Sequence, residues 1–260
     1  MEFKGIDVSK WNGTIDWKAV AASGVQFAMV RAGIGKSKGG ATVDPRFLDN
    51  VCGAYENGIR VGVYLYSYAM SAEAAMKEAD SLIGILAPVR EKITFPVAYD
   101  LEETSQEGLG RQECTEMVRM FCETVGGAGY TPILYTNPNW LKNFLNPDNI
   151  TVPLWLAHIE KKPWGSDYKG EYVMHQYSWV GRVPGISGDV DMDVSKIDFA
   201  EEQCMRYKTV DECPGWAQET VKRLVERGVI RGRGDERGLD LTEDMLRMLV
   251  WLDRAGVVGG

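Results

Sequence analysis

The chain has 260 residues, 45% hydrophobic and 25% charged, with a formal net charge of −8. That length supports one large domain, or one of about 200 residues with a small appended module. The acidic balance and the lack of a Lys/Arg cluster argue against a nucleic-acid partner, and no window approaches the ~20 apolar residues of a membrane span.

In chain order, apolar runs predict strands at residues 3–8, 25–32, 60–68, 93–100, 131–136, 152–157, 172–177 and 189–194. Helical patterns lie between the earlier runs, around residues 44–58, 71–86 and 112–126. Ser71, ahead of Ala72-Glu73-Ala74, reads as an N-cap followed by an acid in the first turn. Strand–helix–strand repetition predicts parallel pairing and an α/β fold. Eight strands predict a TIM-like barrel over residues 1–200. It is irregular, because too little helical pattern separates the later strands, and the last few are expected to be joined by loops. In such barrels the chemistry sits at the C-terminal ends of strands.

The character of the sequence changes at Tyr207. Trp216, Ala217, Val221, Leu224 and Val225 predict a helix over 214–227, with Pro214 in its first turn and Gly228 closing it. Residues 231–235 read as a loop. Met245, Leu246, Leu249, Val250 and Leu252 predict a second helix over 242–255, with Thr242 as N-cap and Gly256 as stop. Residues 207–260 are nearly neutral, 9 Lys/Arg against 10 Asp/Glu, so the acidity belongs to the barrel. Two helices make a marginal core, and this module is expected to dock, to oligomerise or to need a ligand.

The N-terminus enters a strand at once, with no basic or apolar leader, so no secretory signal is expected and synthesis is placed in the cytoplasm. Cys52, Cys114, Cys122, Cys204 and Cys213 are scattered and odd in number, which predicts reduced thiols. With only His158 and His175 available, no metal site and no nucleophile–histidine pair is expected. Gly33-Ile34-Gly35-Lys36-Ser37 resembles a phosphate loop, but Val30 stands where the first glycine is required. It reads as a mobile rim loop, and no cofactor is expected.

The most informative stretch is Phe95-Pro96-Val97-Ala98-Tyr99-Asp100-Leu101-Glu102-Glu103. It predicts a buried strand ending in two carboxylates. Strand alternation points Asp100 and Glu102 the same way, with Cα atoms ~6.6 Å apart. Two carboxyls that close cannot both ionise freely, so one acquires a raised pKa. Glycoside hydrolysis uses such an acid and anion side by side. A strand end with solvated acids or a salt-bridge node gives the same pattern. Asp7 ends the first predicted strand and faces the barrel mouth, or caps the following turn. Asp189, Asp191 and Asp193 alternate at the last predicted strand, on one face. The offsets exclude an EF-hand loop. Aromatics gather at strand ends: Tyr64, Tyr66, Tyr68, Tyr99, Tyr135, Trp155 and Tyr177, with Trp140 and Trp179 in loops. Their faces can stack on sugar rings, although about half must be core.

These residues in this order resemble glycoside hydrolase family 25, the Chalaropsis-type muramidases found in bacteria and in phage endolysins. The resemblance spans roughly residues 4–200. It is carried by Gly5-Ile6-Asp7-Val8-Ser9 with Trp11, Phe27-Ala28-Met29-Val30-Arg31-Ala32 and Gly62-Val63-Tyr64-Leu65-Tyr66-Ser67. It continues through Tyr99-Asp100-Leu101-Glu102, Leu134-Tyr135-Thr136 and Leu154-Trp155-Leu156-Ala157. It closes on Gln176-Tyr177-Ser178 and Val183-Pro184-Gly185-Ile186-Ser187-Gly188 before Val190-Asp191. The resemblance implies an irregular α/β barrel that cleaves the β-1,4 bond between N-acetylmuramic acid and N-acetylglucosamine in peptidoglycan. It implies Glu102 as general acid, Asp100 as partner carboxylate, and Asp7 and Asp191 as further acids of the cleft. Tyr64, Tyr66, Tyr135, Trp155, Gln176 and Tyr177 would contact the glycan strand. The 207–260 segment looks like small helical modules appended to phage lysins, and faintly like a surface-layer-homology repeat. It is expected to bind the cell wall or to form a homo-oligomer. An endolysin of this kind is stored in the host cytoplasm and meets the wall after release. A wall-binding protein without turnover, on the same barrel, is the alternative.

Overall fold

The computed structural model describes all residues except 1, 160–161, 200–205, 233–237, 240, 255 and 258–260. Among the described residues, eight strands close into a barrel: β1 (Phe3–Val8), β2 (Phe27–Gly35), β4 (Arg60–Tyr66), β5 (Val97–Asp100), β6 (Pro132–Thr136), β7 (Leu154–Ala157), β8 (Met174–Gly181) and β9 (Val190–Ser195). Pairing runs β1-β2-β4-β5-β6-β7-β8 in parallel, and β9 closes the ring antiparallel to both β8 and β1. A short β3 (Ala41–Val43) folds back antiparallel on β2. Helices α1 (Trp17–Ala22), α2 (Phe47–Glu56), α3 (Ala72–Leu86), α4 (Arg111–Gly127) and α5 (Pro138–Asn143) follow the early strands. Among the described residues no helix lies between β7 and β8 or between β8 and β9, in line with the sparse helical pattern of those stretches.

Strand parity sorts the side chains into two cores. One set packs outward against the helices: Ile6, Val8, Ala28, Val30, Val61, Val63, Val97, Tyr99, Leu134 and Leu156 with Val51, Leu82 and Phe121. The other set fills the barrel: Phe3, Phe27, Met29, Tyr64, Phe95, Ala98, Ile133, Tyr135, Trp155 and Phe199. Its floor is aromatic, with Phe27 stacked on Phe95 at 4.8 Å and Phe199 edge-on to Phe95 at 5.1 Å. Gly5 makes room for that floor: a Cβ there would come within 2.2 Å of the Phe27 ring.

The predicted strand at 93–100 begins only at Val97. Pro96 cannot donate to a ladder, and the N–H groups of Thr94 and Phe95 both turn to the Val61 carbonyl. Gly33-Ile34-Gly35 is not a rim loop. It is the end of β2, held by pairing with β3. The acids at 189–193 do not end their strand but begin it, because β9 runs antiparallel. That reversal still brings Asp191 to the mouth, opposite Asp7. Ser71 caps α3 as predicted, its Oγ accepting from Ala74 N–H at 3.2 Å.

The chain divides into units Met1–Phe199 and Ala200–Gly260. The second contains a two-residue ribbon, β10 (Arg206–Tyr207) with β11 (Leu241–Thr242), which the sequence reading does not anticipate. Its helices are α6 (Gly215–Glu226) and α7 (Glu243–Arg254). Pro214 stands at the N-cap of α6 rather than in its first turn. Thr242 Oγ1 accepts from Met245 N–H at 3.3 Å at the start of α7. Tyr207, Cys213, Ala217, Val221, Leu241, Leu246 and Val250 form this unit's own core. Of the predicted 231–235 loop, residues 233–235 lie outside the described residues.

Candidate active site

A cleft of about 220 Å³ opens at the C-terminal ends of the parallel strands. Asp7, Asp100, Glu102 and Asp191 line it, together with Tyr64, Tyr66, Tyr135, Trp155 and Gln176. Parity explains the gathering. In β1 Phe3, Gly5 and Asp7 point inward, in β5 Ala98 and Asp100, and in β9 Asp191 and Asp193. Glu102 lies beyond the end of β5, not within the strand, yet it reaches the same cleft.

Tyr177 departs from the expectation. Gln176 takes the inward position on β8, so Tyr177 points to the other face, where its ring lies 6.2 Å from that of His175. A one-residue step reverses the face of a strand residue. Trp155 lines the cleft but is almost fully buried, and its indole N–H donates to Asp193 Oδ1 at 2.8 Å.

The acids are held by a short polar chain. The Tyr135 hydroxyl donates to Gln176 Oε1 at 3.0 Å, and Gln176 Nε2 donates to Asp7 Oδ2 at 2.7 Å. Burial raises the Asp7 carboxyl well above the usual range, and the neighbouring charges of Asp193 and Asp191 add to it. Asp193 is fully buried, and burial pushes it up to about 8. A proton carried by Asp7 hydrogen-bonds Asp191 and Asp193 and eases their ionisation. Asp7, Asp191 and Asp193 therefore titrate as a coupled group.

Asp100 and Glu102 form the second group. Burial raises Asp100 well above its ordinary value, the Glu102 charge raises it further, and Arg31 opposes. Among the described residues no donor reaches the buried Asp100 Oδ1. Burial also raises Glu102, against a hydrogen bond from Asn137. Asn137 is the N-cap of α5, its Oδ1 accepting from Trp140 N–H at 3.1 Å. The helix start thus positions the amide that touches Glu102. Next to it, the Tyr66 hydroxyl donates to Glu103 Oε2 at 3.0 Å, which anchors the turn after β5.

Five contributors escape the sequence assignment. Arg31 lines the cleft, with Nε 2.9 Å from Asp44 Oδ2. Its signal was visible: a lone charge within an apolar strand requires a buried partner. Asp44 Oδ2 also accepts the Lys10 N–H at 3.1 Å and so steadies the turn carrying Trp11. Trp11 is 80% exposed at the cleft edge. Asp193 was one of three alternating acids, and only the barrel's closure distinguishes it. Asn137 has no sequence signal beyond a helix cap. Among the described residues no cluster of three or more His, Cys, Asp or Glu is arranged to hold a metal ion.

Comparison with known proteins adds independent information. The sequence model of "Glycosyl hydrolases family 25" matches residues 6–186. An autolytic lysozyme of Clostridium acetobutylicum is 30% identical over 191 residues, which is 73% of this chain and 55% of that protein. Lysozyme M1 of Streptomyces globisporus is 29% identical over 204 residues, 72% of this chain and 66% of the relative. The solved autolysin LytC of Streptococcus pneumoniae, in complex with a synthetic peptidoglycan ligand, superposes with a TM-score of 0.64 at 26% identity. That match covers 74% of this chain and 46% of LytC. The chain therefore spans only about half to two thirds of these relatives.

Proposed function

The chain belongs to glycosyl hydrolase family 25, and on that premise we propose that it is a peptidoglycan hydrolase. It cleaves the β-1,4 bond between N-acetylmuramic acid and N-acetylglucosamine. The observation that carries this reading is the cleft itself: Asp7, Asp100, Glu102 and Asp191 converge there, with raised carboxyl pKa values caused first by burial.

Glu102 is the general acid. Burial keeps its proton above the ordinary range, so it can protonate the leaving glycosidic oxygen. Asp100 supports the positive charge that grows on the sugar. Its anion is disfavoured in the empty cleft by burial and by Glu102, and a developing oxocarbenium ion offsets both. The negative charge that the coupled group of Asp7, Asp191 and Asp193 carries as it ionises favours the same transition state. Tyr64, Tyr66, Tyr135 and Trp155 supply the aromatic wall against which sugar rings pack.

The finer reading is a phage endolysin acting on a Gram-positive wall after release from the host cytoplasm. Its support is the likeness of residues 207–260 to modules appended to phage lysins.

The test is digestion of purified Gram-positive peptidoglycan, with mass spectrometry of borohydride-reduced products, for wild type beside Glu102→Gln. Reduced muramic acid ends that vanish with the variant are expected. Reduced glucosamine ends would assign a glucosaminidase instead. Binding to the wall with no new reducing ends would leave a binding protein without turnover.

A further inference from the structure

The second unit carries a pocket of about 420 Å³, lined by Trp216, Arg247, Val250, Trp251 and Arg254. Four of these belong to α7 and recur at i, i+3, i+4 and i+7, so they form one face of that helix. Trp216 comes from the first turn of α6. Val250 is buried and forms the floor, whereas Trp216 and Trp251 are 45% and 68% exposed. Two large indoles left in water around a pocket are a costly surface feature unless something packs on them. The volume falls within the roughly 300–1,000 Å³ of small-ligand sites.

The charges around the pocket define the ligand. The Arg247 guanidinium lies 5.9 Å from the Trp216 ring centroid and is shared with Glu243 at 3.0 Å. Asp253, beside Arg254 in sequence, is already taken by Thr220 and Arg223. Arg254 has no ion-pair partner among the described residues and is exposed on the pocket. The site therefore offers aromatic faces plus one uncommitted guanidinium. Indole faces suit the apolar side of a sugar ring, and guanidinium suits a single anionic group. The unit's near-neutral balance, 9 basic against 10 acidic residues, does not suit a dense polyanion. A glycan whose attached peptides carry isolated carboxylates does fit.

We propose that Trp216, Arg247, Trp251 and Arg254 form a second site that binds peptidoglycan, with indoles against its sugar rings and guanidinium against a stem-peptide carboxylate, apart from the cleft that cuts it. The inference rests on the peptidoglycan-hydrolase reading and names the ligand of the second unit. Both site types are then matched to one polymer, with the barrel reading it by acids and the α7 face by indole and arginine.

The test uses the full chain with Glu102→Gln, so that binding is measured without digestion. The probe is purified Gram-positive peptidoglycan stripped of phosphate polymers with hydrofluoric acid, in a co-sedimentation assay. Adding Trp251→Ala or Arg254→Gln is expected to weaken retention at least about fivefold. On the active chain, the same two changes should leave hydrolysis of soluble glycan fragments and the unfolding midpoint unaltered. Unchanged retention overturns the proposal. So does binding by the parent chain that disappears once phosphate polymers are stripped, or a drop in solution mass with Trp251→Ala, which would make the face a contact between copies. If the active chain cuts no peptidoglycan while Trp251 still governs retention, the hydrolase reading fails and this site stands.

Discussion

Asp191 and Glu103 act on Glu102 through space, because the charges of both raise its pKa after burial has done so. The alkaline limb of the rate profile should report the ionisation of Glu102. Asp191→Asn removes one of those charges, so the limb should move to lower pH. A pH series of kcat/KM on soluble fragments checks this, and a limb that stays put or moves up would remove Glu102 as the titrating acid. Asp100→Asn belongs to the same scale. It keeps the shape and deletes the charge, so kcat should fall on the order of 10²-fold or more with little change in KM. A wild-type rate would reassign Asp100. At this scale the sequence revealed the acids that end apolar strands, Asp7 and Asp100, because a charge closing a buried run has few bland uses. It did not separate Tyr177 from Gln176. That distinction needs the register of β8, and adjacent residues in a strand differ only by face.

The elements beneath the site are joined by one buried carboxylate that plays no part in the proposed chemistry. Glu78 of α3 is fully buried. It accepts the Ser67 hydroxyl at 2.7 Å and the Tyr68 N–H at 3.1 Å, both just past β4. Ser67 Oγ also lies 2.9 Å from the Tyr99 hydroxyl of β5 and 3.3 Å from Gln106 Nε2 in the turn beyond it. At the end of β2, a Cβ on Gly35 would sit 1.9 Å from Glu78 Oε1, so any side chain there would push the carboxyl off its partners. One carboxyl thus ties the ends of β2, β4 and β5 to α3. Burial lifts it from 4.5 to about 7. The folded protein then keeps a proton that the unfolded chain has released, and stability falls as pH rises through that window. The full swing is about 3 kcal/mol. Urea unfolding at pH 5 and pH 8 should show the difference shrinking by about that amount in Glu78→Gln. An equal difference in both proteins would mean that Glu78 titrates normally. This tie was not legible in the sequence, where Glu78 is one acid on an amphipathic helix. α2, α3 and α4 were legible from periodicity, whereas α1 and α5 have six residues each, too few for a periodic signal.

For the whole molecule, the boundary between the two units depends on Phe199. Its ring closes the aromatic floor against Phe95, and Asp198 beside it pairs with Arg60. A chain cut before these residues loses an interior side chain of the kind whose removal costs about 3–5 kcal/mol, and it leaves Arg60 without that ion pair. A chain lacking residues 207–260 keeps both. The second unit has a separate core around Tyr207, Val221 and Leu246, so its removal opens no cavity in the barrel interior. The barrel sequence carries nearly all of the net charge of −8 and has no bulk attraction to an anionic wall. Deleting 207–260 should therefore leave hydrolysis of soluble fragments within about twofold of the full chain, and reduce lysis of intact cells by tenfold or so if the α7 face supplies the local concentration. Deleting from residue 198 onward should lower the unfolding midpoint and both activities together. Equal loss of both activities in the 207–260 deletion, with a lowered midpoint, would instead make the second unit part of the barrel's structural support.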